Sequence, residues 1–324
     1  MNILRICFIS LVLITVQSCK NDSTPTETVE QEISLLEISE ETIDINGVSH
    51  YIKKIGKGEP LVILHGGPGL FHNYLISSFE KLAEQYQIIF YDQRGCGKTA
   101  FPKDTTTITV ENFVADLEAI RQHLKIEKIN LAGHSWGAIL AINYAKKFPN
   151  HLNNLILIAP APANTEYFDQ MFKNMQNKRK DEDIKEMVKV MSSKDFDDRN
   201  PEAVLKAIKI GDKVNLVDQS KIDELYANMT FTAASANNML LVNSIMEKNF
   251  FNYNITDNMS LITCPTLIIL GDLDNVPFAS AQLLQDNLSN ARLEVLKSSG
   301  HYPFFEAQKD FNFAIEGFLT PEYE

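Results

Sequence analysis

The feature that most constrains this chain is the pentapeptide GHSWG at residues 133–137. It stands between an apolar run at 129–132 and a second apolar run at 138–142, so it predicts a sharp turn from a buried strand into a helix. Glycines at both ends allow strand and helix to approach closely and tolerate strained backbone angles. Such a turn lifts the hydroxyl of Ser135 clear of the sheet, where it can act as a nucleophile.

A serine hydroxyl is a poor nucleophile at neutral pH, so it needs an imidazole to take its proton and a carboxylate to orient that imidazole. Both groups follow predicted strands further along the chain. Asp274 comes after the apolar run 266–270, and His301 comes after the run 291–296. The order Ser135, Asp274, His301 is the one typical of α/β-hydrolases. Asp272 is the alternative carboxylate.

Backbone amides must also meet the negative charge that develops on the attacked carbonyl oxygen. The segment HGGPG at residues 65–69 follows another apolar run and leaves its amides uncovered by side chains. We expect the amides of Gly67 and Trp136 to form this oxyanion hole, each contributing roughly 3 kcal/mol to lowering the barrier. Gly66 is the alternative donor. His65 and His134 border the same site and are interpreted as structural or pocket-lining residues.

The pattern along the chain predicts an α/β fold. Asn46-Gly47 between two short apolar runs is typical of a hairpin, and from residue 61 onward apolar strands alternate with helical segments. That alternation indicates a mostly parallel central sheet with helices on both faces, built from residues 37–160 and 262–324. In residues 161–261 the alternation stops, which predicts an inserted helical cap over Ser135.

Three motifs together resemble the proline iminopeptidase family: HGGPG at 65–69, DQRGCGKT at 92–99 and the serine turn at 133–137. The resemblance covers the chain from about residue 40 to its end, except the middle. It implies an α/β-hydrolase fold with a helical cap and release of N-terminal residues, often proline, from peptides. It also favours Asp274 over Asp272, because Asp274 holds the Gly-x-x-Asp position of the family.

The cap departs from the family pattern. Family members recognise the free α-ammonium group of the substrate through cap glutamates, one of them in an Asn-Glu-Phe segment, whereas residues 228–232 read NMTFT. Glu224 lies nearby, so Glu224 and Phe231 are the predicted substrate-binding residues; further cap glutamates are Glu182, Glu186 and Glu247. The leading hypothesis is therefore an aminopeptidase acting on small peptides. An esterase or other acyl hydrolase is the alternative, followed by a ligand-binding sensor.

The N-terminus has the pattern of a bacterial lipoprotein signal. Arg5 precedes an apolar stretch at residues 6–16, too short to span a bilayer, and Ser18 directly precedes Cys19. We expect residues 1–18 to be removed, Cys19 to be acylated and residues 19–36 to be a flexible tether. This places the enzyme in the bacterial cell envelope, touching the membrane only through its lipid anchor. A plain cleaved signal with an incidental cysteine is the alternative.

Composition excludes several other classes. The formal charge of −12 argues against a nucleic-acid partner, because binding a polyanion needs a concentrated basic face. The seven histidines show no metal-ligand spacing, so we expect neither a metal nor another cofactor. Of the four cysteines, only Cys96 and Cys264 would remain available in the mature domain, and two cysteines do not make a disulfide framework.

Overall fold

The computed structural model describes residues 36–248 and 253–320. The expected signal peptide and Cys19 lie outside the described residues, as does all of the expected tether except Leu36. In the described part, no helix combines the length and the apolar character that a membrane crossing requires. The described residues form one compact unit.

A single sheet of eight strands organises this unit, with the spatial order β1-β2-β4-β3-β5-β6-β7-β8. The strands are β1 (Ile38–Ile45), β2 (Val48–Ile55), β3 (Glu59–Leu64), β4 (Tyr86–Tyr91), β5 (Ile129–His134), β6 (Leu152–Ile158), β7 (Thr266–Gly271) and β8 (Ala291–Leu296). β1 and β2 run antiparallel to their neighbours, and all later pairings are parallel. The predicted α/β-hydrolase architecture is thereby confirmed.

Helices cover the sheet and fill the segment between β6 and β7. They are α1 (Ile76–Phe79), α2 (Val110–His123), α3 (Trp136–Lys147), α4 (Thr165–Lys178), α5 (Asp181–Met191), α6 (Lys194–Asp197), α7 (Pro201–Asp212), α8 (Ile222–Leu225), α9 (Ala233–Glu247), α10 (Phe278–Asp286), α11 (Pro303–Glu306) and α12 (Gln308–Leu319). Helices α4 to α9 fall in the region expected to be the cap. Among the described residues of this region, the only β-pairing is one isolated bridge between Asn164 and Asn254.

Local sequence explains where several elements begin and turn. The hairpin between β1 and β2 turns at Asn46 and Gly47, which both have positive φ angles, 50° and 75°, as a two-residue hairpin turn requires. Helix α2 begins after Thr109, whose side chain accepts a hydrogen bond from the amide of Asn112. Helix α7 begins after Asn200, whose side chain caps two amides. These short-range signals are readable in the sequence.

The sheet has a core on each face because its central strands are buried on both sides. Every residue of β5 and β7 is buried, which matches their almost continuous apolar sequences. One hydrophobic cluster joins the sheet to α2, α3 and α10, and a second joins it to α1, α11 and α12. The carboxyl ends of the parallel strands are therefore held in fixed relation to one another, and they carry the candidate site.

A buried ionic network fixes the hairpin end of the sheet. Asp116 on α2 accepts hydrogen bonds from Arg94 Nε at 2.9 Å and Nη2 at 2.6 Å, from His50 Nε2 at 3.1 Å and from Asn46 Nδ2 at 2.9 Å. Burial alone raises the pKa of Asp116, but the bonds from His50 and Arg94 outweigh it and lower that pKa. The network joins the first hairpin, the loop after β4 and helix α2.

We predict that Asp116→Leu destabilises the fold by about 3–5 kcal/mol, because it leaves the buried Arg94 charge without a partner. Urea unfolding followed by circular dichroism measures the change. Glu84→Gln, which removes the exposed ion pair with Lys81, is the control and should cost less than about 1 kcal/mol. A double variant, Asp116→Leu with Arg94→Met, should recover part of the loss. Equal stabilities of the Asp116 and Glu84 variants would contradict the assigned role.

Candidate active site

The turn around Ser135 has the geometry that its sequence predicts. Strand β5 ends at His134, Ser135 has φ 54° and ψ −115°, and α3 begins at Trp136. A Cβ atom on Gly133 would overlap the carbonyl oxygen of Gly137, and one on Gly137 would overlap that of Leu64. Both glycines are therefore needed for the close approach of strand and helix. Strained backbone angles such as those of Ser135 cluster at functional sites.

Three polar side chains meet at the carboxyl ends of β5, β7 and β8. His301 Nε2 lies 2.9 Å from Ser135 Oγ, and His301 Nδ1 lies 3.0 Å from Asp274 Oδ2 and 3.1 Å from Asp274 Oδ1. A carboxylate can only accept, so Nδ1 carries the ring proton and Nε2 faces the serine as an acceptor. Asp272 instead accepts from the amide of Ser299. The structure thus places Asp274 against the imidazole and Asp272 away from it.

Charges around His301 adjust its protonation. Burial alone lowers the pKa of His301, but the Asp274 carboxylate and the more distant Asp212 and Glu306 raise it above its ordinary value. Asp212 stands at the end of α7 and accepts hydrogen bonds from the hydroxyls of Tyr226 and Tyr302, which keep it in place. These three negative groups therefore stabilise an imidazolium at this position.

The loop after β3 lines the same cavity with Gly66, Gly67 and Pro68. The amide of Gly66 donates to Tyr74 Oη at 2.7 Å, so Gly67 is the better placed of the two expected donors. His65 Nδ1 donates to the carbonyl of Gly66 at 2.9 Å. That carbonyl and the amide of Gly67 share one planar peptide group, so the bond also fixes the direction of the Gly67 amide. Trp136, the first residue of α3, lines the same cavity.

Gln93, from the DQRGCGKT motif, joins this loop to helix α3. Its amide donates to His65 Nε2 at 3.0 Å, and its side chain donates to the carbonyl of His65 at 2.8 Å and accepts from Trp136 Nε1 at 3.0 Å. Burial lowers the pKa of His65 to about 4, so this ring is neutral and holds one tautomer. The expectation that His65 is structural agrees with these contacts.

A cavity of about 530 Å³ opens above Ser135 and His301, between the sheet and the cap. Much of its wall is apolar and comes from α4 and the loop after β3: Pro68, Leu70, Phe168, Met171, Phe172 and Met175. Three cap carboxylates also line it, namely Asp169, Asp212 and Glu247. The site can therefore receive an apolar group together with a positive charge.

Comparison with known proteins agrees with this geometry. A family model described as alpha/beta hydrolase fold matches residues 59–308. The chain belongs to the α/β-hydrolase fold family. The proline iminopeptidase of Saccharolobus solfataricus is 30% identical over 291 residues, covering 86% of this chain and 91% of that protein. That of Lactobacillus helveticus is 29% identical over 309 residues, covering 89% and 100%. The chain is thus a hydrolase related to proline iminopeptidases.

Solved structures extend the likeness in fold to more distant proteins. The proline iminopeptidase of Mycobacterium smegmatis superimposes on this α/β-hydrolase with a TM-score of 0.67 at 21% identity, covering 87% of this chain and 97% of that one. A membrane phospholipase A superimposes with a TM-score of 0.63 at 19% identity, covering 88% and 87%. At these identities the likeness extends to the fold alone.

The two cap residues predicted to bind substrate do not line the cavity. Glu224 is exposed on α8, whose apolar residues Ile222 and Leu225 turn inward. Phe231 is buried and packs edge-on against Phe71 with ring centroids 5.0 Å apart. The prediction rested on analogy with the Asn-Glu-Phe segment, but Glu224 lies on the exposed face of α8, and the ring of Phe231, in the segment before α9, packs against Phe71. The spacing of Phe168, Met171, Phe172 and Met175 along α4 was a readable signal for the wall that does line it.

Two further expectations concern metals and cysteines. Within the described residues, no group of three or more His, Cys, Asp or Glu side chains has the arrangement of a metal site. Cys96 and Cys264 are both free and buried.

We predict that His301 titrates above the usual pKa of histidine and that Asp212→Asn lowers this value, because one nearby negative charge is lost. NMR of ring-labelled histidine across the pH range gives the pKa directly. Asp169→Asn is the matched control, since Asp169 lines the same cavity but is not among the charges that raise the pKa of His301. A His301 pKa that is unmoved by Asp212→Asn, or moved equally by both variants, would contradict the assignment.

Proposed function

We propose that this α/β-hydrolase is a serine aminopeptidase that releases an N-terminal proline or another small apolar residue from peptides. The observation that carries the proposal is the hydrogen-bonded chain from Ser135 through His301 to Asp274 at the edge of the cavity. A hydroxyl, an imidazole and a carboxylate in this order are the components of nucleophilic catalysis at a carbonyl group.

The reaction follows from these atoms. His301 Nε2 takes the proton of Ser135 Oγ while Oγ forms a bond to the carbonyl carbon of the substrate. The resulting negative oxygen is stabilised by the amides of Gly67 and Trp136. The C–N bond then breaks, and His301 gives its proton to the leaving amine. Water deprotonated by His301 attacks the acyl-enzyme, which releases the amino acid and returns the proton to Ser135.

Cap carboxylates support the preference for a free N-terminus. Asp169 and Glu247 line the cavity and form no ion pair with another described residue. An α-ammonium group bound there would be attracted by two carboxylates whose negative charges no ion pair neutralises. We propose that these two residues take the role that the sequence assigned to Glu224, with Phe168 and Met171 contacting the apolar side chain of the first residue.

An esterase or other acyl hydrolase is the second candidate. The apolar wall along α4, with Phe168, Met171, Phe172 and Met175, would accept the acyl chain of an ester as readily as the side chain of an amino acid. The two functions share the same nucleophile and differ only in whether the cavity recognises a positive charge. A sensor that binds without turnover is the third candidate, and it requires an unreactive Ser135.

We predict turnover of proline or alanine p-nitroanilide, with little turnover of their N-acetylated forms. Ser135→Ala should lower kcat by on the order of 10⁶-fold, as loss of the nucleophile does in such triads. Glu247→Gln should raise KM for the free-amine anilide about fivefold, equivalent to roughly 1 kcal/mol, and leave hydrolysis of a neutral p-nitrophenyl ester unchanged.

The matched control is Glu224→Gln, which removes an exposed cap glutamate outside the cavity and should change neither constant. If N-acetylated anilides or simple esters are the better substrates, the aminopeptidase proposal gives way to the acyl hydrolase. If Ser135 reacts with no fluorophosphonate and no substrate is turned over, the sensor remains.

We also propose that Cys19 is acylated and anchors the enzyme in the bacterial cell envelope. Support comes from the sequence: Arg5, the apolar stretch at 6–16 and Ser18 directly before Cys19. Expressed in a bacterium that processes lipoproteins, the wild type and Ser135→Ala should sediment with membranes, and Cys19→Ala should not. Mass spectrometry of the mature N-terminus should find an acylated cysteine. An unmodified, soluble wild-type product would leave the plain cleaved signal instead.

A further inference from the structure

A buried row of polar groups joins the loop that carries Gly67 to the backbone of His301. The amide of Gly66 lies 2.7 Å from Tyr74 Oη, Tyr74 Oη lies 2.8 Å from His134 Nδ1, and His134 Nε2 lies 2.9 Å from the carbonyl oxygen of His301. Tyr74 and His134 are each only 2% exposed. Neither side chain takes part in the proposed chemistry, although both line the cavity.

The direction of each hydrogen bond in this row is determined. The carbonyl of His301 can only accept, so His134 Nε2 carries a proton and donates it. Burial, reinforced by the charge of His301, lowers the pKa of His134 well below its usual value, so the ring is neutral and Nδ1 is an acceptor. Tyr74 must therefore donate to Nδ1, which leaves its oxygen to accept from the amide of Gly66. No other tautomer satisfies all three bonds.

Packing holds the row in place. The ring of His134 lies between aromatic neighbours, with centroid distances of 5.0 Å to Phe304, 5.1 Å to His301 and 5.3 Å to Tyr302. A Cβ atom on Gly66 would come within 3.0 Å of Tyr74 Oη and 3.1 Å of His134 Nδ1. The loop, the tyrosine and the histidine are thus in direct contact, so a displacement of one displaces the others.

Gly66 is consequently fixed on both of its peptide groups. Tyr74 holds its amide, and His65 holds its carbonyl, which shares a peptide plane with the amide of Gly67. At its other end the row holds the carbonyl of His301, the residue whose ring faces Ser135. The row therefore sets the position of the expected oxyanion donor relative to the base.

We propose that Tyr74 and His134 are positioning residues that hold the oxyanion donor and the base in register. The inference rests on the proposed function and deepens it. The attacked oxygen is uncharged in the bound substrate and develops negative charge in the transition state, so a displaced donor weakens binding of the transition state more than binding of the substrate. A misplacement of about 1 Å can cost 10²-fold in rate. Loss of the row should then lower kcat and leave KM nearly unchanged.

The first test compares two buried tyrosines. Tyr74→Phe removes one hydroxyl from the row and should lower kcat by about 10- to 100-fold with KM within about twofold of the wild type. Tyr144→Phe is the matched control, because the Tyr144 hydroxyl is also buried and donates a 2.8 Å bond to Glu118 elsewhere in the fold. Its kcat and KM should both stay unchanged. Thermal unfolding of the two variants separates loss of stability from loss of rate.

The second test separates the two sides of the imidazole. His134→Asn can place an oxygen near Nδ1 to accept from Tyr74, and His134→Gln can place an amide nitrogen near Nε2 to donate to the carbonyl of His301. Each should lower kcat less than His134→Ala does. In a double-mutant cycle, Tyr74→Phe and His134→Gln should combine to less than the product of their separate effects on kcat, as members of one unit do.

The outcomes are distinguishable. Unchanged kcat in Tyr74→Phe, a rise in KM without loss of kcat, or independent effects of the two substitutions would overturn the positioning role and leave both residues as wall of the cavity. Ser135 labelling by a fluorophosphonate is measured on the same preparations. A wild type that is not labelled overturns the proposed function and the positioning role with it, whereas a labelled wild type and an equally active Tyr74→Phe overturn the positioning role alone.

Discussion

The whole site depends on how closely helix α3 approaches strands β3 and β5. Gly133 and Gly137 leave no room for a Cβ atom against the carbonyls of Gly137 and Leu64, and the turn between them forces Ser135 to a positive φ angle. The same approach brings the first residue of α3 beside the loop after β3, where Gly67 lies. One packing constraint thus brings Ser135 and the start of α3 beside the loop that carries Gly67, the proposed oxyanion donor.

Histidines in and around the site differ in pKa because their surroundings differ. Burial among apolar and backbone groups lowers the pKa of His65 and His134, which makes them neutral rings with fixed donors and acceptors. The carboxylate of Asp274 has the opposite effect on the pKa of His301, which it raises despite burial. All three histidines stand next to a glycine in the sequence, in HG at 65–66 and in GH at 133–134 and 300–301. The pKa of each ring is therefore determined by its neighbours in space and not by the local motif.

The fold and the central residues were predictable because their signals are local. A strand followed by a glycine-bordered serine, and polar residues directly after β7 and β8, need only strand assignments to be brought to one edge of a parallel sheet. The preference for Asp274 over Asp272 was predictable from the family spacing and agrees with the bond to His301. The cap residues that face the cavity were not predictable. Glu247 at the end of α9 lines the cavity and Glu224 on α8 does not, because their helices pack in different orientations. Tyr74 was missed as well because it follows no strand end.

Contacts between the cap and the two loops after β7 and β8 make the cap a part of the site rather than a cover over it. The amide of His301 donates to the carbonyl of Asn215 at 2.9 Å, and the side chain of Asn275 donates to the carbonyl of Val214 at 2.9 Å. On α4, the side chain of Asn174 donates to the carbonyl of Asn275 at 2.9 Å. A cap that swung away as a rigid body would break all three bonds, and these hold the loops that carry His301 and Asp274. Helix α4 also supplies the apolar wall, so substitutions that reshape the cavity act on the same element that supports the hydrogen-bonded chain.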